Sequence, residues 1–126
     1  MVQTPFPAMK LLLVDDNAMM QKIQSTILQK LGHQTSVVSS GQQALEVLSR
    51  QTFDCIVMDM QMPDMDGLET TRRIRQSGNQ TPIVALTGND DGASRQACRQ
   101  AGMNGFLTKP LQTSQVSQVL GGIKRG

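Results

Sequence analysis

Residues Cys55 to Gly67 read CIVMDMQMPDMDG, and their interpretation decides the fold. Four apolar residues in a row end on a carboxylate, Asp59, and an unbroken apolar run of this length is how a strand buried on both faces of a parallel sheet reads. Pro63 then blocks any extension of that strand, and a helical segment follows from Leu68 to Arg75. The string is therefore one strand-loop-helix unit. The same unit recurs along the chain, with strands predicted at Leu11 to Val14 (LLLV), Thr35 to Val38 (TSVV), Ile83 to Leu86 (IVAL) and Gly105 to Leu107 (GFL). Between them, Met20, Ile23, Ile27, Leu28 and Leu31 make an apolar helical stripe ended by Gly32. Ala44, Leu45, Val47 and Leu48 mark a second helix, Ala93 to Ala101 another ended by Gly102, and Gln112 to Leu120 the last. Five such alternations predict an α/β fold of (βα)5 type, a five-stranded parallel sheet with helices on both faces.

The composition agrees with one folded unit. A chain of 126 residues hides enough surface to need neither disulfides nor a structural metal. The net charge of +2 is too small for a nucleic-acid or membrane footprint, so no direct nucleic-acid contact is expected. Cys55 and Cys98 lack metal-ligand or CxxC spacing and read as buried thiols of a reducing compartment, with the cytoplasm as the default. No apolar run approaches the roughly 18 residues of a membrane span. Residues 1–9, with Pro5 and Pro7, read as a tail or linker, residues 10–121 as the domain, and residues 122–126 as a second tail.

Polar residues stand directly after the strands. Asp15 and Asp16 come after the first, Asp59 after the third, Thr87 after the fourth, and Thr108 and Lys109 after the fifth. In an open α/β sheet, ligands bind beyond the carboxyl ends of the strands, near the point where strand order reverses. Each aspartate taken alone is explained as a helix cap or turn former. Together, carboxylates, a hydroxyl and an ammonium on one edge describe a site. Two unit negative charges about 4 Å apart repel by about 4 kcal/mol at an effective dielectric near 20, so such a cluster calls for a cation. Hard oxygen ligands with room for water suit Mg²⁺. Beside Mg²⁺ and a lysine, Asp59 can act as a nucleophile toward phosphorus, with Asp15 and Asp16 holding the metal and Lys109 and Thr87 serving the phosphoryl oxygens.

VDDN at Val14 to Asn17, VMDMQMPDMDG at Val57 to Gly67, ALTG at Ala85 to Gly88 and FLTKP at Phe106 to Pro110 together resemble the receiver domain of two-component response regulators, over roughly Lys10 to Leu120. The resemblance implies a flavodoxin-like strand order of 2-1-3-4-5, in which the order reverses between the first and third strands. It implies that Asp59 is the phosphoacceptor, Asp15 and Asp16 the acidic pair, Thr87 the switch hydroxyl, Lys109 the lysine of the site and Phe106 the aromatic switch. The main-chain carbonyl of Gln61 would be a further metal ligand, and the bond before Pro110 would be cis. Phosphorylation would recruit Thr87, let the Phe106 ring turn inward and remodel the surface of the fourth helix, fifth strand and fifth helix. The neutral amides Gln61 and Asn89 flank the phosphoryl position and cannot take a proton from water, so an aspartyl phosphate lasting minutes or longer is expected. Partners would be a histidine kinase or a histidine phosphotransfer domain, with a phosphorylation-dependent dimer as one arrangement. LGHQTSVVSSGQQAL and MDMQMPDMDGLE look like receivers fused to hybrid sensor kinases, with a free-standing regulator as the alternative.

Two rival readings fail on spacing. The DxDG of Asp64 to Gly67 matches a haloacid-dehalogenase phosphatase signature, but that motif must follow a strand directly and Asp59 to Pro63 intervene. An EF-hand aligned on Gly67 would put Met62 and Arg73 at its first and twelfth ligand positions. Pro63 and Asp64 then read as a turn, and Asp66 as a helix N-cap with Glu69 completing a capping box. His33, which precedes the second strand, reads as an ordinary surface or edge residue and not as a phosphodonor.

Overall fold

The computed structural model describes residues 9–60, 67–88, 92–109 and 111–125. Five strands and five helices alternate: β1 (Lys10–Val14), α1 (Ala18–Lys30), β2 (Gln34–Val38), α2 (Gly41–Leu48), β3 (Cys55–Asp59), α3 (Gly67–Gln76), β4 (Ile83–Thr87), α4 (Gly92–Ala101), β5 (Gly105–Thr108) and α5 (Thr113–Arg125). All strand pairs are parallel, in the order β2-β1-β3-β4-β5. The (βα)5 architecture and the strand order are thus those expected from the sequence. Side chains alternate along the central strands into two core layers. Leu11, Leu13, Val57, Val84 and Leu86 meet Leu28 of α1 and Val116 and Leu120 of α5. Leu12, Val14, Ile56, Met58 and Ala85 meet Ala44 of α2, Ile74 of α3 and Cys98 of α4. Both cysteines are buried and unpaired, and burial pushes the Cys55 thiol up to about 12.

The helix ends follow local chemistry. Asn17 caps α1 by accepting the Met20 N–H at 3.0 Å, and Ser40 caps α2 by accepting the Gln43 N–H at 3.1 Å. Gly32 (φ 95°) and Gly102 (φ 110°) stop α1 and α4 in the left-handed region, as their place after the apolar stripes predicts. At Gly102 the half-buried Arg75 of α3 adds a clamp. Its Nε and Nη2 donate to the Gly102 carbonyl at 3.1 and 2.9 Å, its Nη1 to the Asn79 carbonyl at 2.9 Å, and its Nη2 also to Asn104 Oδ1 at 3.0 Å. Asn104 Oδ1 accepts the Ile83 N–H as well, so one guanidinium ties the end of α3 to the end of α4 and the start of β4.

Several local expectations are corrected. The α1 stripe departs from expectation at one position: Leu28 is buried and Ile27 and Leu31 pack at the margin, but Gln24 is buried in place of Ile23, which is 45% exposed. Positions 20, 24, 27, 28 and 31 make a complete i, i+3, i+4, i+7 face, whereas Ile23 lies on the outer row with Met19. β2 is not buried on both faces, because it is an edge strand. α5 continues through the segment expected to be a C-terminal tail, since Ile123 extends its packed face after Val116, Val119 and Leu120. Met9, expected in the N-terminal tail, is a core residue. His33 is buried and not on the surface, because its Nδ1 accepts the Met9 N–H at 3.1 Å and so serves a backbone donor at the start of β1.

Burial holds the His33 imidazole below its ordinary value near 6.5. The unfolded chain therefore binds the extra proton first as pH falls, so the stability that neutral His33 contributes is complete above pH 6.5 and is lost below it. The urea midpoint is expected to drop between about pH 7 and about pH 5.5, and His33→Asn, which keeps an acceptor but does not titrate, to flatten that drop. Equal slopes for the two proteins would contradict this role.

Candidate functional site

The carboxyl ends of β1, β3, β4 and β5 form one edge, and the backbone fixes what each presents there. The Asp15 N–H donates to the Val38 carbonyl at 3.1 Å, continuing the β1–β2 ladder by one residue. The Met60 N–H donates to the Leu86 carbonyl at 3.1 Å, which holds Asp59 in the sheet as the last residue of β3. The Lys109 N–H donates to the Thr87 carbonyl at 2.8 Å, locking the lysine to the strand end that carries the threonine. Asp15, Asp59 and Thr87 are buried, while Asp16 is exposed.

The structure brings Asp15, Asp16, Asp59 and Lys109 together. One carboxylate oxygen from each of Asp15, Asp16 and Asp59 lies within 4.8 Å of the others. Lys109 Nζ donates to Asp59 Oδ1 at 3.0 Å. Asp15 Oδ1 accepts the Asn17 N–H at 2.9 Å, and Asp15 Oδ2 is buried with no hydrogen-bond partner among the described residues. Desolvation, and then the nearby Asp59 charge, raise the Asp15 carboxyl above its usual range, against the pull of the Asn17 N–H and of Lys109. The Lys109 ammonium thus contacts Asp59 and acts on Asp15 through its charge. An unpartnered buried carboxylate oxygen beside two more carboxylates is a donor set for a hard cation, and the exposed Asp16 leaves one side of it open to solvent.

Phe106 stands apart from the acidic cluster, half-buried against the core layer beneath α4, where its ring meets Arg95. Gln61, Asn89 and Pro110 lie outside the described residues, as do the turn at Pro63 and Asp64 and the cap at Asp66. Glu69 is bonded to Arg73 at 3.0 Å.

Two further contributors are not among the expected site residues. Gln21 of α1 donates from Nε2 to the Asp15 carbonyl at 2.5 Å and to Ser39 Oγ at 3.1 Å, bracing the loop that carries the acidic pair. Nothing in a lone glutamine on a polar helix face signals this. Gly67, the first residue of α3, packs so closely on the end of β3 that a Cβ would stand 2.7 Å from the Asp59 carbonyl and 2.8 Å from Met60 Sδ. The Asp66-Gly67 pair is its signal, since a glycine at a helix start marks a close backbone approach as readily as a turn.

Residues 11–120 match the family model described as the response regulator receiver domain. The chain is 37% identical over 112 residues to the sensor histidine kinase RcsC of Salmonella typhi, covering 89% of this chain and 12% of the relative. It is 38% identical over 118 residues to the sensor histidine kinase GacS of Pseudomonas protegens, covering 90% of this chain and 13% of the relative. The chain therefore spans only about an eighth of these curated relatives. Among solved structures, the receiver domain of a sensor histidine kinase from Pseudomonas aeruginosa superposes with a TM-score of 0.85 at 36% identity, covering 95% of this chain and 100% of that one. That crystal structure holds a magnesium ion coordinated in its active-site cleft.

The Gly67 contact is directly testable. Gly67→Ala drives a methyl group into backbone that cannot yield and is expected to cost about 1–3 kcal/mol of stability in urea titration. Gly88→Ala, with nothing among the described residues within 4 Å of its Cβ position, is expected to cost less than about 0.5 kcal/mol. Equal losses at the two glycines would rule out the close packing of α3 on the end of β3.

Proposed function

The chain belongs to the response regulator receiver family, and from that membership we propose that it is a phosphorelay module that accepts a phosphoryl group from a phosphohistidine onto Asp59. The observation that carries this reading is the contact between Lys109 Nζ and Asp59 Oδ1 beside the acidic pair. The reaction asks little of the protein except position and charge neutralisation. A carboxylate oxygen of Asp59 attacks phosphorus, the phosphorus–nitrogen bond of the donor breaks, and the departing imidazole keeps the electron pair and takes a proton. Lys109, released from Asp59, neutralises a phosphoryl oxygen, and the Thr87 hydroxyl donates to another. Asp15, Asp16 and Asp59, with the Gln61 carbonyl, would hold Mg²⁺. That ion would supply Lewis-acid neutralisation of charge on the transferring phosphoryl oxygens. Gln21 and Asn17 keep the Asp15 segment in place for this task.

The same pocket accounts for self-catalysed phosphorylation by a small phosphodonor and for slow dephosphorylation. The amides Gln61 and Asn89 supply no base for water, so the acyl phosphate lasts minutes or longer. Thr87 and Phe106 then couple the phosphate to the surface of α4, β5 and α5. The physiological donor is a histidine kinase or a histidine phosphotransfer domain, and the kinship with RcsC and GacS favours a hybrid sensor kinase as the parent chain. A docking surface for that donor lies next to the pocket. Among the described residues, the exposed large hydrophobics are Met19 and Ile23 of α1 and Val37 of β2. Val37 pairs with Leu13, whose side chain packs in the core layer beneath α1, so all three fall on one side of the sheet.

Incubation with acetyl phosphate and Mg²⁺ is expected to add about 80 Da to the intact protein and nothing to Asp59→Asn, and the label is expected to decay over minutes or longer. No label on the parent protein, or a label retained by the variant, would overturn the assignment. Ile23→Asp is expected to slow transfer from a phosphorylated histidine-containing partner at least about tenfold while leaving labelling by acetyl phosphate unchanged. Equal loss with both donors would mean damage to the pocket and not to docking.

A further inference from the structure

If Phe106 is the moving part of the switch, the structure shows what holds it. Lys109 Nζ rests on Asp59 Oδ1, the place from which a phosphoryl oxygen would draw it, so the pocket is in its unphosphorylated arrangement. In that arrangement the guanidinium carbon of Arg95 lies 4.7 Å from the centroid of the Phe106 ring. Both residues line a groove of about 710 Å³ between α4, β5 and α5.

From this geometry, and resting on the switch reading above, we propose that Arg95 is the positioning residue that keeps the Phe106 ring on the groove side until Asp59 is phosphorylated. Phenylalanine has no hydroxyl with which to anchor itself at a wet surface. The attraction of its ring quadrupole for a guanidinium is the polar handle left to it. When the ring turns inward it leaves Arg95, so the contact belongs to the resting state alone and biases the equilibrium against switching.

Arg95 also occupies the part of α4 best suited to respond. The buried residues of α4 are Cys98 and Ala101, both in its C-terminal half, and the Arg75 clamp on Gly102 fixes that end to α3. Arg95 is exposed in the N-terminal half, which lacks a buried side chain. Losing the ring contact therefore removes a tie on the N-terminal half of α4, while the clamped end acts as a pivot. The contact joins ring and helix, so a turn of the ring is felt at α4.

The test uses protein labelled with 4-fluorophenylalanine, in which the three phenylalanines give three ¹⁹F resonances and Phe106→Leu identifies the switch line. Beryllofluoride with Mg²⁺ serves as the phosphoryl mimic. In Arg95→Gln the Phe106 line is expected to lie nearer the mimic-bound position before any mimic is added. The apparent affinity for beryllofluoride is expected to rise about two- to fivefold, the size of an exposed cation–π contact. Arg95→Lys, which keeps the charge but loses the planar face, is expected to fall between the two. A variant merely damaged in folding would not bind the mimic more tightly. Unchanged or weaker affinity in Arg95→Gln, with the wild-type line still responding to beryllofluoride, would overturn the role of Arg95 alone. A wild-type Phe106 line that ignores beryllofluoride bound at Asp59 would overturn the switch reading and this proposal with it.

Discussion

Three carboxylates gathered within 4.8 Å and answered by the Lys109 ammonium are the constraint on which the rest of this structure turns. At this spacing each pair of ionised groups repels by several kcal/mol at an effective dielectric near 20. Lys109 offsets part of that through its contact with Asp59, but Asp15 keeps a buried oxygen with no partner among the described residues. The raised Asp15 carboxyl records the cost, since its ionised form works against the fold at neutral pH. A site under this strain favours whatever brings positive charge, and it gives a phosphoryl group arriving with a divalent cation a prepared place.

The sheet exists in a form that makes this crowding possible. Strand order β2-β1-β3-β4-β5 sets β1 beside β3, so Asp15 and Asp59 emerge from adjacent strand ends, and β4 and β5 deliver Thr87 and Lys109 next to them. The apolar strands β1, β3 and β4, packed on both core layers, supply the stability from which the acidic edge is subtracted. Close packing carries the placement: Gly67 lets α3 approach the Asp59 carbonyl to a distance that a methyl group forbids. Away from the edge, α4 is held at its C-terminal end by Cys98, Ala101 and the Arg75 clamp.

Most of the fold is legible in the sequence because apolar runs and helical stripes report burial, and burial is what the sheet imposes. The site is legible because its members fall at strand ends or within two residues beyond them, where topology alone brings them together. The features that escape share a different origin. Gln24 occupies a core position with a polar side chain, so the apolar pattern of α1 points one residue early, to Ile23. The buried His33 accepts the Met9 N–H, an interaction across 24 residues that no local pattern encodes. Gln21 and Arg75 act through main-chain carbonyls, which are alike at every position and leave no mark in the sequence. The continuation of α5 to Arg125 rests on Ile123 alone past two glycines, a weak signal for a helix.

The central claim is that the acidic edge is destabilising until a cation occupies it. Urea unfolding of the parent protein and of Asp15→Asn, each in chelator and in Mg²⁺, tests it most directly. Asp15→Asn is expected to be the more stable protein in chelator, by on the order of 1 kcal/mol. Mg²⁺ is expected to stabilise the parent protein in proportion to its occupancy and the variant much less. A variant less stable than the parent in chelator, or a parent protein whose stability ignores Mg²⁺, would contradict that claim.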